Sequence, residues 1–257
     1  MLSRRCMLLA LSLIPAVTGF ALSRRERAPT VTVLAPGLVL VRNALSEAEQ
    51  QRLSSEAQRL GRRRENGFRN ADGSLNADAA RGRIYDRASV LPACFRRLCC
   101  RSSDMAASAD AAMPSCDPTH CLINQYTSTQ GLLWHRDIYA NDGDGDKPIV
   151  NLSVGASCIF GVQDDGRRGR VHKVKLESGD ALLFGGPRRF VRHAVLEVLL
   201  DEKPRWMRGH AHRLSFTFRE APSVLGQEEH YRTFQVKQKW FEETQKAWRP
   251  GAPLVAA

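Results

Sequence analysis

Arg213-Leu214-Ser215-Phe216-Thr217-Phe218-Arg219 alternates without a break. In an extended chain Leu214, Phe216 and Phe218 fall on one face, and Arg213, Ser215, Thr217 and Arg219 on the other. Two environments suit such a strand. It can be an amphipathic edge strand with a solvated polar face, or its polar face can look into a pocket that grips a small dicarboxylate. Arginine suits the second task because its planar fork takes a carboxylate through two parallel hydrogen bonds. Leu122-Ile123-Asn124-Gln125-Tyr126 follows the same logic, with Asn124 and Tyr126 sharing a face and offering hydrogen bonds.

The stretch between these two is dense in short strands and turns. Residues 121–126 read as a strand, Gly131 as a turn, and Leu133-Trp134-His135 as a strand leading into a loop over 138–147. The acidic run of that loop fits no calcium-binding spacing and reads as a solvated turn. Residues 149–159 read as one buried strand, and 163–170 as a polar hairpin carrying Arg167, Arg168 and Arg170. Ser178-Gly179-Asp180 is a tight turn, followed by an apolar strand, the Gly185-Gly186-Pro187 turn and a further strand over 190–195. This pattern predicts an all-β barrel or sandwich.

Its chemistry lies in His135-Arg136-Asp137 and His193. Residues i and i+2 of a strand end point to the same side, so His135 and Asp137 converge without a helix. Two histidines and one carboxylate suit iron(II), leaving the opposite face of the metal open for substrate and oxygen. A zinc or manganese hydrolase could use the same triad, but would have no need for the Arg213/Arg219 strand.

Taken in order, Ile123–Tyr126 (INQY), Trp134–Asp137 (WHRD), Ser178–Gly186 (SGDALLFGG), Arg192–Val195 (RHAV) and Arg213–Arg219 (RLSFTFR) resemble the AlkB family of iron(II)- and 2-oxoglutarate-dependent dioxygenases. The similarity runs from about Cys121 to Glu220, and more loosely from about Leu34. The resemblance implies a double-stranded β-helix, or jelly-roll barrel, mainly β with flanking helices. It implies iron(II) on His135, Asp137 and His193, and 2-oxoglutarate on Asn124, Tyr126, Arg213 and Arg219, with O2 as cosubstrate. Arg213 would take the far carboxylate and Arg219 would lie nearer the C1 end. The family chemistry is oxidative removal of alkyl groups from nucleic-acid bases, releasing succinate, CO2 and formaldehyde. The alternatives are a 2-oxoglutarate-dependent hydroxylase of a protein side chain or small molecule, and a non-catalytic barrel that binds a polyanion.

Substrate contacts are less legible. Arginines crowd residues 62–87 among Gly, Asn and Asp, with Phe68 and Tyr85 interleaved, which reads as a long loop. In the AlkB family this region is a lid over the substrate, so Arg83 and Tyr85 are substrate candidates, with Tyr139, Arg167 and Arg168. A solvated basic loop is the alternative. The aromatic residues that sandwich the base in well-known members have no clear counterparts. Tyr139 stands where base-demethylating relatives often carry an acidic residue, and Ser215 replaces the asparagine common in the family's R-x-N-x-[ST]-x-R strand. Both departures argue for altered substrate choice.

The remainder frames this core. With 257 residues, 43% of them hydrophobic, the chain can bury one sizeable core. A net charge of +11 favours polyanions, nucleic acid first. Residues 1–30 pair a basic start with an apolar run of signal or anchor type, too short for an ordinary spanning helix. They predict organellar or secretory targeting, a plastid being one option, and a cytoplasmic or nuclear protein if the segment is not used. Residues 31–221 form the predicted dioxygenase domain, with its catalytic core over 117–221, and 222–257 a helical extension. Ser46 with Glu49 predicts a capping box, Leu53, Ala57 and Leu60 an apolar helix stripe, and Gly61 the residue just past the helix end. A second helix is predicted over 91–115. Six cysteines after residue 30 include no CxxC pair, which argues against structural zinc and for free thiols. No obligate protein partner is predicted, and the chain reads as a monomer.

Overall fold

The computed structural model describes residues 27–63, 67–78, 81–87, 91–137, 147–164 and 169–220, and within 77–87 only the backbone. The predicted presequence (apart from residues 27–30), the 138–146 loop, the tip of the 163–170 hairpin and the C-terminal extension lie outside the described residues. No described helix is long and apolar enough to cross a membrane.

A hairpin opens the fold. Strands β1 (Thr30–Ala35) and β2 (Leu38–Arg42) turn at Pro36-Gly37, where Gly37 takes a φ of 78° that a side chain would oppose. Helix α1 (Glu47–Gly61) follows, with both halves of the capping box formed: Glu49 N–H donates to Ser46 Oγ, and Ser46 N–H to the Glu49 carboxylate. Arg101 of α2 (Ala93–Ala109) bonds the same carboxylate at 2.7 and 2.8 Å and ties the two helices together. Those hydrogen bonds, opposed by partial burial, lower the Glu49 pKa to about 2. The stability Glu49 contributes is therefore complete above the ordinary glutamate range and is lost as pH falls toward 2. Ser46→Ala should lower stability by about 1 kcal/mol, read as a reduced urea midpoint with an unchanged slope.

Two details of these helices differ from the sequence reading. Gly61 is the last residue of α1 and Arg62 caps it in right-handed conformation, so Gly61 is not a left-handed stop. Its glycine serves close approach, because a Cβ there would stand 2.0 Å from the Phe68 ring. Helix α2 ends at Ala109 rather than near 115, and Asp110 turns its carboxylate to the backbone N–H groups of Gly37 and Ala112.

The predicted 62–87 loop ends in two strands, β3 (Ala77–Asp78) and β4 (Arg81–Arg87). β4 pairs antiparallel with β5 (His120–Tyr126), from Arg81 opposite Tyr126 to Arg87 opposite His120. The arginine density of 81–87 hid a strand that covers an otherwise open sheet edge. After β6 (Leu132–His135), the single strand predicted over 149–159 is two: β7 (Ile149–Gly155) and β8 (Ser157–Gln163). The chain changes sheets at Gly155, whose φ is 93° and where a Cβ would meet the His212 carbonyl at 2.4 Å. Small and apolar residues on both sides of Gly155 leave that corner unmarked in the sequence. The remaining strands are β9 (Val171–Leu176), β10 (Ala181–Phe184), β11 (Arg192–Leu199) and β12 (Arg213–Arg219).

Eight strands form one sheet in the order β1-β2-β10-β7-β12-β5-β4-β3, and four form another in the order β6-β11-β8-β9. β12 lies between β7 and β5 with all seven residues buried, so the edge-strand alternative is wrong. Its apolar face looks outward to the helices. Phe216 and Phe218 meet the Phe95 ring of α2 edge-on at 5.3 and 6.2 Å, in a core shared with Leu53, Ala57 and Leu60. Burying each such phenylalanine stabilises by roughly 1.5–3 kcal/mol. A second core fills the space between the sheets, built from Leu40, Ile149, Phe160, Val162, Phe184 and Val195. The polar face of β12 enters that inter-sheet space. Two antiparallel sheets closed over one interior, with helices on the outer face of the larger, make a double-stranded β-helix. None of the six described cysteines forms a disulfide, and four of them are buried.

Candidate active site

The smaller sheet brings the sequence-distant ligand candidates together at the end of β6. His135 and His193 are direct partners across the β6–β11 pair, with ring centroids 4.3 Å apart. Asp137, two residues beyond the end of β6, places Oδ1 3.4 Å from His135 Nε2 and 4.0 Å from His193 Nε2. The three donor atoms lie within 4.8 Å of one another, the separation a single cation requires.

Hydrogen bonds set the tautomer of both rings. His135 Nδ1 lies 2.7 Å from the Leu133 carbonyl and His193 Nδ1 3.0 Å from the Val191 carbonyl. A carbonyl only accepts, so each Nδ1 carries the hydrogen and each Nε2 presents a lone pair. Phe160 stacks on His193 at 5.5 Å and Phe184 leans on it at 4.8 Å. Burial, reinforced by neighbouring His135 and opposed by Asp137, pushes the His193 pKa down to about 4. The ring is thus a neutral donor at neutral pH.

Asp137 is held from two sides. Burial opposes its charge, but the Arg219 guanidinium, with Nη2 at 2.6 Å, outweighs that and keeps its carboxyl well below the usual range. With Arg219 on Oδ2, Oδ1 is turned toward the histidines. Arg189, itself 3% exposed, donates to the Asp137 backbone carbonyl at 2.8 Å. Sequence reasoning missed Arg189, which lies just beyond the Gly185-Gly186-Pro187 turn.

The rest of the polar face extends the site along β12. Arg213 is fully buried, with Nη2 on Ser153 Oγ at 3.0 Å and its plane 5.5 Å from the Tyr126 ring centre. Among the described residues its Nε and Nη1 have no hydrogen-bond partner, and neither has Asn124 Oδ1. Among the described residues no carboxylate pairs with Arg213. A buried guanidinium in that state is costly unless an anion joins it. Asn124 and Tyr126 are both buried on β5, directly opposite Ser215 and Arg213. Ser153 and Asn151 were also missed, although polar residues at i and i+2 in the apolar run Ile149-Val150-Asn151-Leu152-Ser153-Val154 give the signal. Among the substrate candidates, the backbones of Arg83 and Tyr85 pair with Asn124 and Leu122. Tyr139, Arg167 and Arg168 lie outside the described residues.

A family model, the 2OG-Fe(II) oxygenase superfamily, matches residues 37–219. The chain belongs to this superfamily. Within it the chain is a member of the AlkB family. It is 29% identical over 226 residues to the DNA N(6)-methyladenine demethylase ALKBH1C of Arabidopsis thaliana, covering 74% of this chain and 49% of that protein. It is 30% identical over 132 residues to the alpha-ketoglutarate-dependent dioxygenase AlkB of Escherichia coli, covering 51% of this chain and 56% of that protein. The chain spans about half the length of these relatives. The solved structure of OsALKBH1 shares the fold, with a TM-score of 0.62 at 24% identity over 74% of this chain and all of that one.

The AlkB-family cofactor set is iron(II), 2-oxoglutarate and O2, and the donors in this barrel suit it. Two neutral imidazoles and one carboxylate form a mixed nitrogen–oxygen site of the kind iron(II) favours. The N–H groups of Arg213 that have no partner among the described residues suit a carboxylate.

Proposed function

We propose that this AlkB-family chain is an iron(II)- and 2-oxoglutarate-dependent dioxygenase that demethylates nitrogen-methylated bases of nucleic acid. The observation that carries this reading is a metal-type triad and a buried, carboxylate-free Arg213 on the walls of one barrel interior. His135, Asp137 and His193 would hold the iron, and Arg213, Arg219, Asn124 and Tyr126 the cosubstrate. When bound, iron(II) and 2-oxoglutarate supply oxidation of a C–H bond by O2, with succinate and CO2 as products.

The protein's own contribution is orientation and exclusion of water. Arg213 would take the far carboxylate as a planar fork. Arg219 braces Asp137 and stands at the metal end. Phe160 and Phe184 wall off one side of His193, while His135, with 20% of its side chain exposed, marks the open side. A base in a duplex must be flipped out to reach that opening. The Arabidopsis relative is a DNA N(6)-methyladenine demethylase, and the charge of +11 suits a polyanion. Nucleic acid is then the macromolecular partner of a monomeric enzyme.

The test measures succinate and formaldehyde in one reaction, with iron(II), 2-oxoglutarate and N-methylated single-stranded DNA or RNA. The two products should rise together with a methylated oligonucleotide and not with its unmethylated twin. Succinate formed without formaldehyde, unmoved by any methylated oligonucleotide, would favour a hydroxylase of a protein side chain or small molecule.

A further inference from the structure

At Ser215 the β12 strand carries a short hydroxyl where the AlkB-family motif commonly has asparagine. A carboxamide nevertheless reaches this position, from the neighbouring strand. Asn151 of β7 is the direct partner of Thr217 and shares the inward face of β12. Its Nδ2 donates to Ser215 Oγ at 2.9 Å and to Thr217 Oγ1 at 3.2 Å, and its Oδ1 accepts from the Ser215 hydroxyl at 3.2 Å. Asn151, Ser215 and Thr217 are 7%, 3% and 6% exposed, so water does little to set these orientations. They lie between Arg213 and Arg219 along the strand, where the middle of a bound dicarboxylate would fall.

We propose that Asn151 is a positioning residue for 2-oxoglutarate, supplying from β7 the carboxamide that β12 lacks at position 215. This rests on the reading of the barrel as a 2-oxoglutarate site. Both amide hydrogens of Asn151 are committed to hydroxyl oxygens. A hydroxyl that accepts must send its own hydrogen elsewhere. Thr217 therefore directs its O–H away from Asn151. Without the amide, the Ser215 and Thr217 hydroxyls rotate freely and the pocket loses an oriented donor. Strand β7 thus sets the polar wall twice, through Ser153 on Arg213 and through Asn151 on the two hydroxyls.

A reciprocal swap tests this, because exchanging Asn and Ser between facing strands keeps the total side-chain volume. 2-Oxoglutarate binding is measured by calorimetry on manganese(II)-loaded protein, alongside the melting temperature of each variant. Asn151→Ser should weaken 2-oxoglutarate binding about tenfold, the loss of one hydrogen bond to a charged group. The double variant Asn151→Ser with Ser215→Asn should return to within about threefold of wild type, a coupling that independent sites do not show. Asn151→Asp keeps the size but replaces the donor by an acceptor, so it should also weaken binding. A drop in melting temperature with unchanged 2-oxoglutarate affinity in both single Asn151 variants would overturn the proposal and leave Asn151 a packing residue. No recovery in a folded double variant would overturn it too. Failure of the wild-type protein to bind 2-oxoglutarate would instead remove the reading of the site on which this role depends.

Discussion

Replacing Asp137 by alanine is expected to lower succinate formation by at least about 100-fold, since removing a ligand exceeds the loss seen for outer partners of ligands. Asp137 supplies the charged donor of the triad, and its Oδ1 faces both imidazole Nε2 atoms. The substitution also removes the carboxylate that Arg219 meets at 2.6 Å, a buried pair whose disruption costs about 3–5 kcal/mol. Loss of activity in this variant alone could therefore reflect a destabilised fold. His135→Ala separates the two effects. His135 is more exposed and meets Asp137 at 3.4 Å rather than as part of the Arg219 pair, so activity should fall as far with a smaller change in melting temperature. Undiminished iron-dependent turnover in Asp137→Ala would remove the triad from the mechanism.

The second large effect is expected at Arg213. Arg213→Lys keeps the charge but replaces a planar fork by a point ammonium. The lost charge-assisted hydrogen bond is worth about 1.5–3 kcal/mol, or roughly 10- to 150-fold in the KM for 2-oxoglutarate. The rate at saturating 2-oxoglutarate should change less, because Arg213 lies away from the metal ligands. Its Nη2 contact to Ser153 and its stacking on Tyr126 fix the present plane of the guanidinium, and lysine can reproduce neither. A KM equal to wild type would transfer the carboxylate role to Arg219 or away from β12.

The parts of this architecture legible in the sequence are those written in local patterns. Strict alternation placed Arg213, Ser215, Thr217 and Arg219 on one face, and the i, i+2 spacing put His135 beside Asp137. The Ser46–Glu49 capping box is local in the same sense. What escaped depends on which strand lies beside which. Whether β12 is an edge or a centre cannot be read from β12, because its own residues are the same in either case. The β7–β8 corner at Gly155 interrupts a run that is apolar on both sides. In β4, a high density of arginine masked a strand that exists because β5 offers it an edge. Arg189 acts through a partner 52 positions away in the chain and leaves no mark in local sequence, whereas the Val150–Val154 alternation marks Asn151 as polar without naming its partners 64 and 66 positions away.

The most direct test of the central claim is an anaerobic titration of 2-oxoglutarate into the iron(II)-loaded wild-type protein, followed by the visible charge-transfer absorption of the bound metal. One 2-oxoglutarate should bind per chain and not to metal-free protein, with the signal lost in Asp137→Ala and shifted to higher 2-oxoglutarate in Arg213→Lys. Binding indifferent to iron, or equal in wild type and both variants, would contradict a single metal and 2-oxoglutarate site between β6, β11 and β12.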